Sequence, residues 1–307
     1  MIYLTDATKD WTTENGWLIA PAGVPWIKEG HRIKVGEDSK IGDAVVIGDR
    51  ALIGDAVIIG DGVIIEKGSC IGEGVRIGEG VRIGKSVKIG EEVHVSDGVD
   101  IGRAVTIGEG ARIGEGSIIY HGSKIGSAVT IGDGVDISDG VDIGEGVIIG
   151  DYGNIRQGAI IGDRAIIGDR VTIGEGVKIG QSVIIGQSVI IGECAKIGDR
   201  SVIGEDSKIG GGASVGEGSK IRQGVIIGDG VHIGDHVSIA HEVIIGDEAQ
   251  IGDGVSIDYK TSIGRHAKVG RRASIGKSAN IGEKIVIVAE TYIGIGSVLF
   301  SDTSVKD

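Results

Sequence analysis

Residues 161–180 read IGDRAIIGDRVTIGEGVKIG, and this stretch contains the unit from which most of the chain is built. Every sixth residue from Val35 to Leu299 is aliphatic: these 45 positions hold 40 Ile, four Val and one Leu. A small residue (Ala, Val, Ser or Thr) follows four residues after the aliphatic in 43 of the 45 hexads. Self-similarity of this regularity indicates a repeat protein.

Each hexad predicts one short strand and one corner. The small residue and the next aliphatic are two apart, so in an extended segment both point to the interior and the residue between them points to solvent. Glycine follows the aliphatic in 35 of the 45 hexads, and Asp or Glu comes next in 27. We interpret this pair as a turn in which glycine permits the bend and the acid is solvated. A helix is excluded because a glycine every sixth residue would cost about 1 kcal/mol each relative to alanine.

The unit I-G-[DE]-x-[VAST]-x resembles the hexapeptide repeat of left-handed parallel β-helix proteins, in which three hexads form one triangular coil. The resemblance covers residues 35–304 and implies an all-β, triangular solenoid of about 15 coils. Residues 1–34 lack the hexad and hold all three tryptophans and both prolines. We expect them to form either a cap over the open first coil or a docking segment for a partner. Residues 305–307 are expected to form a tail.

Composition excludes several classes of protein. The chain has 307 residues, a net charge of −13 and two cysteines, and this acidity argues against a nucleic-acid partner. No run of about 18 apolar residues is present, so no membrane span is expected. The first residues, MIYLTD, do not resemble a secretory signal, which favours the cytoplasm or an assembled particle. Cys70 and Cys194 are 124 residues apart and are not expected to form a disulfide.

A second resemblance concerns residues 233–252, IGDHVSIAHEVIIGDEAQIG. They resemble the acyltransferases of the lipid A pathway, whose general-base histidine lies in an I-A-H-x-V-x-I-G context. His241 occupies that place, and a histidine can deprotonate a sugar hydroxyl or amine that attacks an acyl thioester. Because positions 18 apart are expected to stack, Arg222, Asp258 and Tyr259 are the candidate substrate contacts. Acyl-CoA or acyl carrier protein would be the co-substrate, with no other cofactor.

The same segment also resembles the zinc-binding segment of gamma-class carbonic anhydrases, since His236 and His241 are five residues apart. The downstream ligand of that family falls on Gly246, and the two histidines fall on different corners. An incomplete ligand set rarely holds zinc. We therefore predict no metal site.

A row of aliphatic residues predicts an interface. Ile148, Ile166, Ile184 and Val202 occupy the outward position of one face on four successive coils, and exposed aliphatic ladders usually mark an interface. The resemblance implies that such faces trimerise, which favours a parallel homotrimer.

The chain lacks the inserted loop and the helical C-terminal part that acyltransferases of this family generally have. We therefore favour a non-catalytic structural or scaffold rod. The alternative is an O- or N-acyltransferase that acts on a free or nucleotide-linked sugar, with His241 as general base. An artificially regularised sequence is a third possibility.

A basic band near the end of the repeat contains Arg265, His266, Lys268, Arg271, Arg272 and Lys277. Such a band is ordinarily a solvated surface. An anionic partner is the alternative.

Overall fold

The computed structural model describes residues 2–300, which form two compact units, residues 2–158 and 159–300. Residues 301–304 of the predicted β-helix and the predicted tail, 305–307, lie outside the described residues. Each unit consists of short strands joined by corners and arranged on three faces, with parallel pairing from one coil to the next. The predicted all-β class and parallel β-helix are confirmed, whereas the left hand of the coil stays a prediction from the resemblance.

The N-terminal segment contacts the start of the first unit. Its elements are the strand Ile2–Tyr3, the helix Leu4–Thr8, and the strands Thr12–Glu14, Trp17–Ile19 and Arg32–Val35. Ile2–Tyr3 pairs antiparallel with Lys40–Ile41, and the side chains of Leu4 and Trp26 are buried. The Trp26 ring stacks on the Trp11 ring with centroids 5.2 Å apart. These contacts join the N-terminal segment to the first coil, and its role as a cap or as a docking segment stays a prediction.

The three faces of the first unit are sheets of mostly two-residue strands, here called faces A, B and C. Face A contains Lys40–Ile41, Ile58–Ile59, Arg76–Ile77, His94–Val95, Arg112–Ile113, Thr130–Ile131 and Ile148–Ile149. Face B contains Arg32–Val35, Ala51–Ile53, Cys70–Ile71, Lys88–Ile89, Thr106–Ile107, Lys124–Ile125 and Asp142–Ile143. Face C contains Val46–Ile47, Ile64–Ile65, Arg82–Ile83, Asp100–Ile101, Ile118–Ile119, Asp136–Ile137 and Asn154–Ile155.

The second unit has the same construction, and its faces are called D, E and F. Face D contains Ile166–Ile167, Ile184–Ile185, Val202–Ile203, Lys220–Ile221, Ser238–Ile239, Ser256–Ile257, Ser274–Ile275 and Tyr292–Ile293. Face E contains Ile160–Ile161, Lys178–Ile179, Lys196–Ile197, Ser214–Val215, His232–Ile233, Gln250–Ile251, Lys268–Val269 and Val286–Ile287. Face F contains Thr172–Ile173, Ile190–Ile191, Lys208–Ile209, Ile226–Ile227, Ile244–Ile245, Ser262–Ile263, Asn280–Ile281 and Val298–Leu299.

The interior is the predicted column of branched aliphatic residues. Every sixth residue from Ile41 to Ile287 is at most 4% exposed, and burying each side chain is worth about 1.5–3 kcal/mol before chain entropy is subtracted. Some of the small inward positions carry serine, whose hydroxyl joins neighbouring coils. Ser219 Oγ donates to the Gly234 carbonyl at 2.9 Å and accepts the Val237 N–H at 3.1 Å. The hydroxyl is therefore satisfied although it is fully buried.

The glycine that follows most of the aliphatic residues has a different role from the one predicted. The left-handed backbone conformation falls two residues later, on residues such as Ala104 (φ 57°) and Gly218 (φ 63°). The first glycine is needed because the next coil passes very close to it. A Cβ on Gly198 would lie 2.7 Å from the Glu217 nitrogen, and real Cβ atoms do not approach other heavy atoms within 3.0 Å. The prediction that this glycine permits the bend is therefore wrong.

The acid that follows this glycine is more than a solvated group where it is aspartate. Asp133 Oδ1 accepts the backbone N–H of Glu115, 18 residues earlier, at 2.7 Å. The same contact is made by Asp55, Asp61, Asp97, Asp139, Asp151, Asp199, Asp229, Asp235, Asp247 and Asp253. These side chains satisfy a corner N–H of the preceding coil, much as an N-cap satisfies a helix terminus.

Candidate functional site

The predicted site lies on the corner between faces D and F of the second unit. His241 and Glu242 form this corner between the strands Ser238–Ile239 and Ile244–Ile245. The coil above joins it through a bond from the Lys260 N–H to the His241 carbonyl at 3.2 Å, and the coil below through a bond from the Glu242 N–H to the Gln223 carbonyl at 3.2 Å. The stacking of residues 18 apart is therefore present at this corner.

Three successive coils of this corner have a side chain where most hexads have glycine. The Arg222 N–H donates to the Ile239 carbonyl at 2.9 Å, and the Ala240 N–H donates to the Ile257 carbonyl at 2.8 Å. Asp258 occupies the same position in the next coil, 18 residues after Ala240. The corner thus differs locally from the aspartate-capped corners, and its outer surface carries amide, imidazole, phenol and amine groups beside the carboxylates of Glu242 and Asp258.

A cluster of side chains beside His241 consists of Glu242, Tyr259, Lys260 and Lys277. The Tyr259 hydroxyl donates to Glu242 Oε1 at 3.4 Å, and the Lys260 Nζ lies 3.6 Å from Glu242 Oε2. The Lys260 and Lys277 amines lie 5.0 and 5.4 Å from the centre of the Tyr259 ring, within cation–π distance. The pKa of the Lys260 amine is raised most by the hydrogen bond with Tyr259 and next by the negative charge of Glu242. This amine therefore stays charged.

The candidate residues themselves differ in how they are held. Asp258 Oδ1 accepts the N–H of the following residue, Tyr259, at 2.7 Å, so this carboxylate is engaged with its own corner. Within residues 2–300, the side chains of His241 and Arg222 form no hydrogen bond or ion pair, and both are exposed. A ring nitrogen of His241 is therefore free to accept a proton, and the Arg222 guanidinium is free to bind an anion.

Sequence reasoning identified Tyr259 but missed its partners. Glu242 and Lys260 follow His241 and Tyr259 directly, and their contact depends on how far the side chains reach. Gln223, in the coil below, donates from Nε2 to Asp206 Oδ2 at 3.3 Å. Comparing the two residues of each corner with those 18 positions away would have placed these groups together.

The structure places the two histidines of the segment that resembles a zinc-binding segment, His236 and His241, on different corners. His236 lies on the corner between faces E and D, away from the His241 corner. It lines a groove of about 520 Å³ with Asp235, Asp253, Arg271, Arg272 and Glu290. No group of three or more His, Cys, Asp or Glu side chains suited to a metal ion occurs among residues 2–300.

The predicted basic band is divided among the three corners. Arg265 lies 3.4 Å from Asp247, His266 lies 3.2 Å from Glu248, and Arg272 lies 3.7 Å from Glu290. Arg265 and Arg272 each face a carboxylate of a neighbouring coil, and the His266 ring lies beside a third carboxylate. Arg265 and Arg272 therefore form exposed ion pairs, each worth little in water.

The predicted interface residues are distributed over both units. Ile166, Ile184 and Val202 stand side by side on successive strands of face D. Ile166 and Ile184 are 43% and 45% exposed, and Val202 is half-buried. Ile148 belongs to the first unit, on face A beside Thr130. A short apolar row is thus present on face D.

No helix within residues 2–300 has the length and apolar character that crossing a bilayer requires. The one helix of this part of the chain, Leu4–Thr8, has five residues.

Comparison with protein families finds the hexapeptide repeat independently. The family described as bacterial transferase hexapeptide (six repeats) matches residues 50–85. The family described as the GMPPB C-terminal domain matches residues 145–240 and 185–269. No curated protein matches the chain.

Several solved structures are similar to parts of the chain. The UDP-N-acetylglucosamine acyltransferase of Francisella novicida is 23% identical over 48% of this chain and 59% of its own, with a TM-score of 0.38. The acetyltransferase domain of PglB from Neisseria gonorrhoeae is 23% identical over 32% of this chain and 48% of its own, with a TM-score of 0.31. LpxA from Acinetobacter baumannii is 21% identical over 50% of this chain and 69% of its own, with a TM-score of 0.30.

The matched region spans about half to three fifths of the first two of these structures. Because each TM-score is below 0.5, no conclusion about this chain rests on these likenesses.

Proposed function

We propose that this hexapeptide-repeat β-helix transfers an acyl group from acyl-CoA or acyl carrier protein to a sugar or nucleotide-linked sugar, with His241 as general base. The observation that carries the proposal is the corner at His241. There, three successive coils replace the usual glycine, and the residues beside them are polar and reactive. The resemblance of residues 233–252 to the lipid A pathway acyltransferases supports it, as does the match of residues 50–85 to a transferase hexapeptide family.

The chemistry follows from the groups at this corner. A ring nitrogen of neutral His241 removes the proton of the acceptor hydroxyl or amine as that group attacks the thioester carbonyl. The new ester or amide bond forms, the carbon–sulfur bond breaks, and the imidazolium returns its proton to the leaving thiolate. Arg222, one coil below and unpaired within residues 2–300, is suited to an anionic part of the acceptor.

A neighbouring copy is part of this proposal. His241 is exposed on a convex corner, and a general base acts best where water is excluded. A second copy packed against this corner would supply the missing wall. The proposal therefore includes a homo-oligomer, for which the trimer implied by the resemblance is the first expectation.

The test measures release of free thiol from acetyl-CoA, and acyl transfer from acyl carrier protein, with UDP-N-acetylglucosamine and free amino sugars as acceptors. We expect turnover by the wild type and a loss of about 10²–10⁴-fold in kcat for His241→Ala. His232→Ala is the matched control because His232 is also an exposed histidine of the second unit. Turnover that survives in the His241 variant would contradict the assignment of the base.

A structural scaffold without catalysis is the second candidate, and the apolar row on face D favours it. Ladders of exposed aliphatics generally mark interfaces. Sedimentation of the wild type and of the double variant Ile166→Lys, Ile184→Lys tests this role. We expect the wild type to sediment as an oligomer and the variant to dissociate, whereas Ser214→Lys with Gln250→Lys, on face E, should remain associated. A monomeric wild type would exclude both the scaffold and the shared active site.

A further inference from the structure

The first unit contains a corner at which acidic residues are replaced by basic ones. The first residue of each corner is Asp or Glu in 27 of the 45 hexads. On the corner between faces C and B this position is basic in four successive coils, occupied by Lys67, Lys85, Arg103 and His121. Asp49 and Asp139 hold the position in the coils before and after these four. We call the four residues the basic corner.

Backbone hydrogen bonds fix the spacing of the basic corner. The Ser86 N–H donates to the Lys67 carbonyl at 3.1 Å, the Ala104 N–H to the Lys85 carbonyl at 2.9 Å, and the Gly122 N–H to the Arg103 carbonyl at 2.9 Å. Successive members are therefore one coil apart, about 4.8 Å. Lys67, Lys85 and Arg103 are cations at this spacing and repel one another, and an anion bound beside them would relieve that repulsion.

His121 shows how the corner keeps its structure without an acid. At other corners an aspartate accepts the N–H of the residue 18 positions earlier, whereas here the Arg103 N–H donates to His121 Nδ1 at 2.9 Å. In the neutral imidazole that makes this bond, the proton is on Nε2. The substitution therefore retains the hydrogen bond between coils and removes a negative charge from the basic corner.

A groove of about 420 Å³ runs beside the basic corner. Its cationic lining is Arg82, Lys85 and Arg103, with His121 at one end, and Ile64 contributes an apolar wall. Two carboxylates, Glu66 and Asp100, also line it. Within residues 2–300, Arg82, Lys85 and Arg103 form no ion pair, so their charges remain available to a ligand.

We propose that this groove binds a small anion that carries two or more phosphates. A guanidinium can bind phosphate oxygens through two parallel hydrogen bonds, and a lysine adds a point charge. A molecule with several phosphates can contact Lys85 and Arg103 at once, because these residues are on adjacent coils. Orthophosphate can contact only one of them well.

The test is calorimetric titration of the full chain with inorganic triphosphate and with orthophosphate at low ionic strength. We expect triphosphate to bind about tenfold more tightly than orthophosphate, because it engages a second cation. The double variant Lys85→Gln, Arg103→Gln should bind triphosphate at least about fivefold more weakly. The matched control is Lys178→Gln with Lys196→Gln, which removes two lysines from adjacent coils of face E without touching the groove.

The outcomes separate the proposal from a general effect of charge. No heat from millimolar triphosphate added to the wild type would overturn it, and so would an equal loss of binding in the control variant. Because Lys85 and Arg103 are exposed and their side chains are unpaired within residues 2–300, both variants should keep the wild-type circular dichroism spectrum. Arg82→Gln, which removes a cation from the wall of the groove, should also weaken the binding of triphosphate. A nucleoside triphosphate arm distinguishes a nucleotide from a free phosphate chain, and tighter binding of either one supports the site.

Discussion

Two glycines of one corner, Gly210 and Gly212, should respond very differently to the same added methyl group. A Cβ on Gly210 would lie 2.4 Å from the carbonyl carbon and oxygen of Gly228, whereas ordinary contact begins at 3.4 Å. A Cβ on Gly212 would meet nothing within 4 Å, although the backbone there has φ of +64°. The first substitution is a collision between coils, and the second is a local conformational strain.

The magnitudes follow from these two causes. Gly212→Ala should cost about 1 kcal/mol for the left-handed conformation, and the protein already has alanine in this conformation at Ala104 and Ala128. Gly210→Ala must move the coil above by about 1 Å, and such overpacking should cost about 3 kcal/mol. The difference between the two variants is therefore about 2 kcal/mol.

Guanidinium unfolding followed by far-UV circular dichroism measures the difference. Both variants have the same composition, so the change in denaturant midpoint isolates the position of the methyl group. We expect Gly210→Ala to unfold at a clearly lower concentration than Gly212→Ala, which should lie just below the wild type. Equal midpoints, or the opposite order, would show that close approach of the coils is not the reason for the first glycine.

Three further changes test other parts of the structure. Asp133→Ala should cost about 1 kcal/mol because the Glu115 N–H loses its acceptor, and an unchanged denaturant midpoint would contradict this role of the corner aspartates. Trp26→Ala should cost about 3–5 kcal/mol, since this ring is 6% exposed and stacks on Trp11; limited proteolysis should then cut residues 2–35 sooner than in the wild type. Burial raises the pKa of the Asp136 carboxyl, so at pH values between the unfolded and the native pKa the native state retains a proton that the unfolded chain has released. The resulting stabilisation is present in acid and is lost as pH rises through the native pKa. Asp136→Asn should therefore be more stable than the wild type at neutral pH, and the two should converge at low pH.

The strands and the interior could be predicted because they depend on positions that are close in sequence. Alternation within each hexad fixes which side chain is inside, and the uninterrupted count of six fixes how often this recurs. The roles of glycine and aspartate could not be predicted in the same way. Their partners, such as Glu217 for Gly198 and Glu115 for Asp133, are 18 or 19 residues away, and local turn chemistry contains no information about them.

The candidate site was predictable to the same extent. Stacking of residues 18 apart correctly placed Tyr259 in the coil above His241, because that step follows from three hexads in each coil. The contacts of Glu242 with Tyr259 and Lys260 depend on side-chain conformations that spacing does not determine. The basic corner was missed because its members are separated by 18 residues and look like isolated exceptions when the sequence is examined one hexad at a time.

The contact between residues 18 apart also determines which changes in length the chain can tolerate. Deleting or duplicating three consecutive hexads returns every later residue to its original face, so each aspartate cap and each buried serine can find an equivalent partner. Deleting a single hexad moves all later residues onto the next face while the interior remains aliphatic. Such a shortened protein would fold, yet Glu242 and Lys260 would lose their common corner if the deletion fell between them. Evolution by tandem duplication can therefore lengthen the molecule freely in steps of one coil, whereas smaller steps preserve the scaffold and scramble its surface.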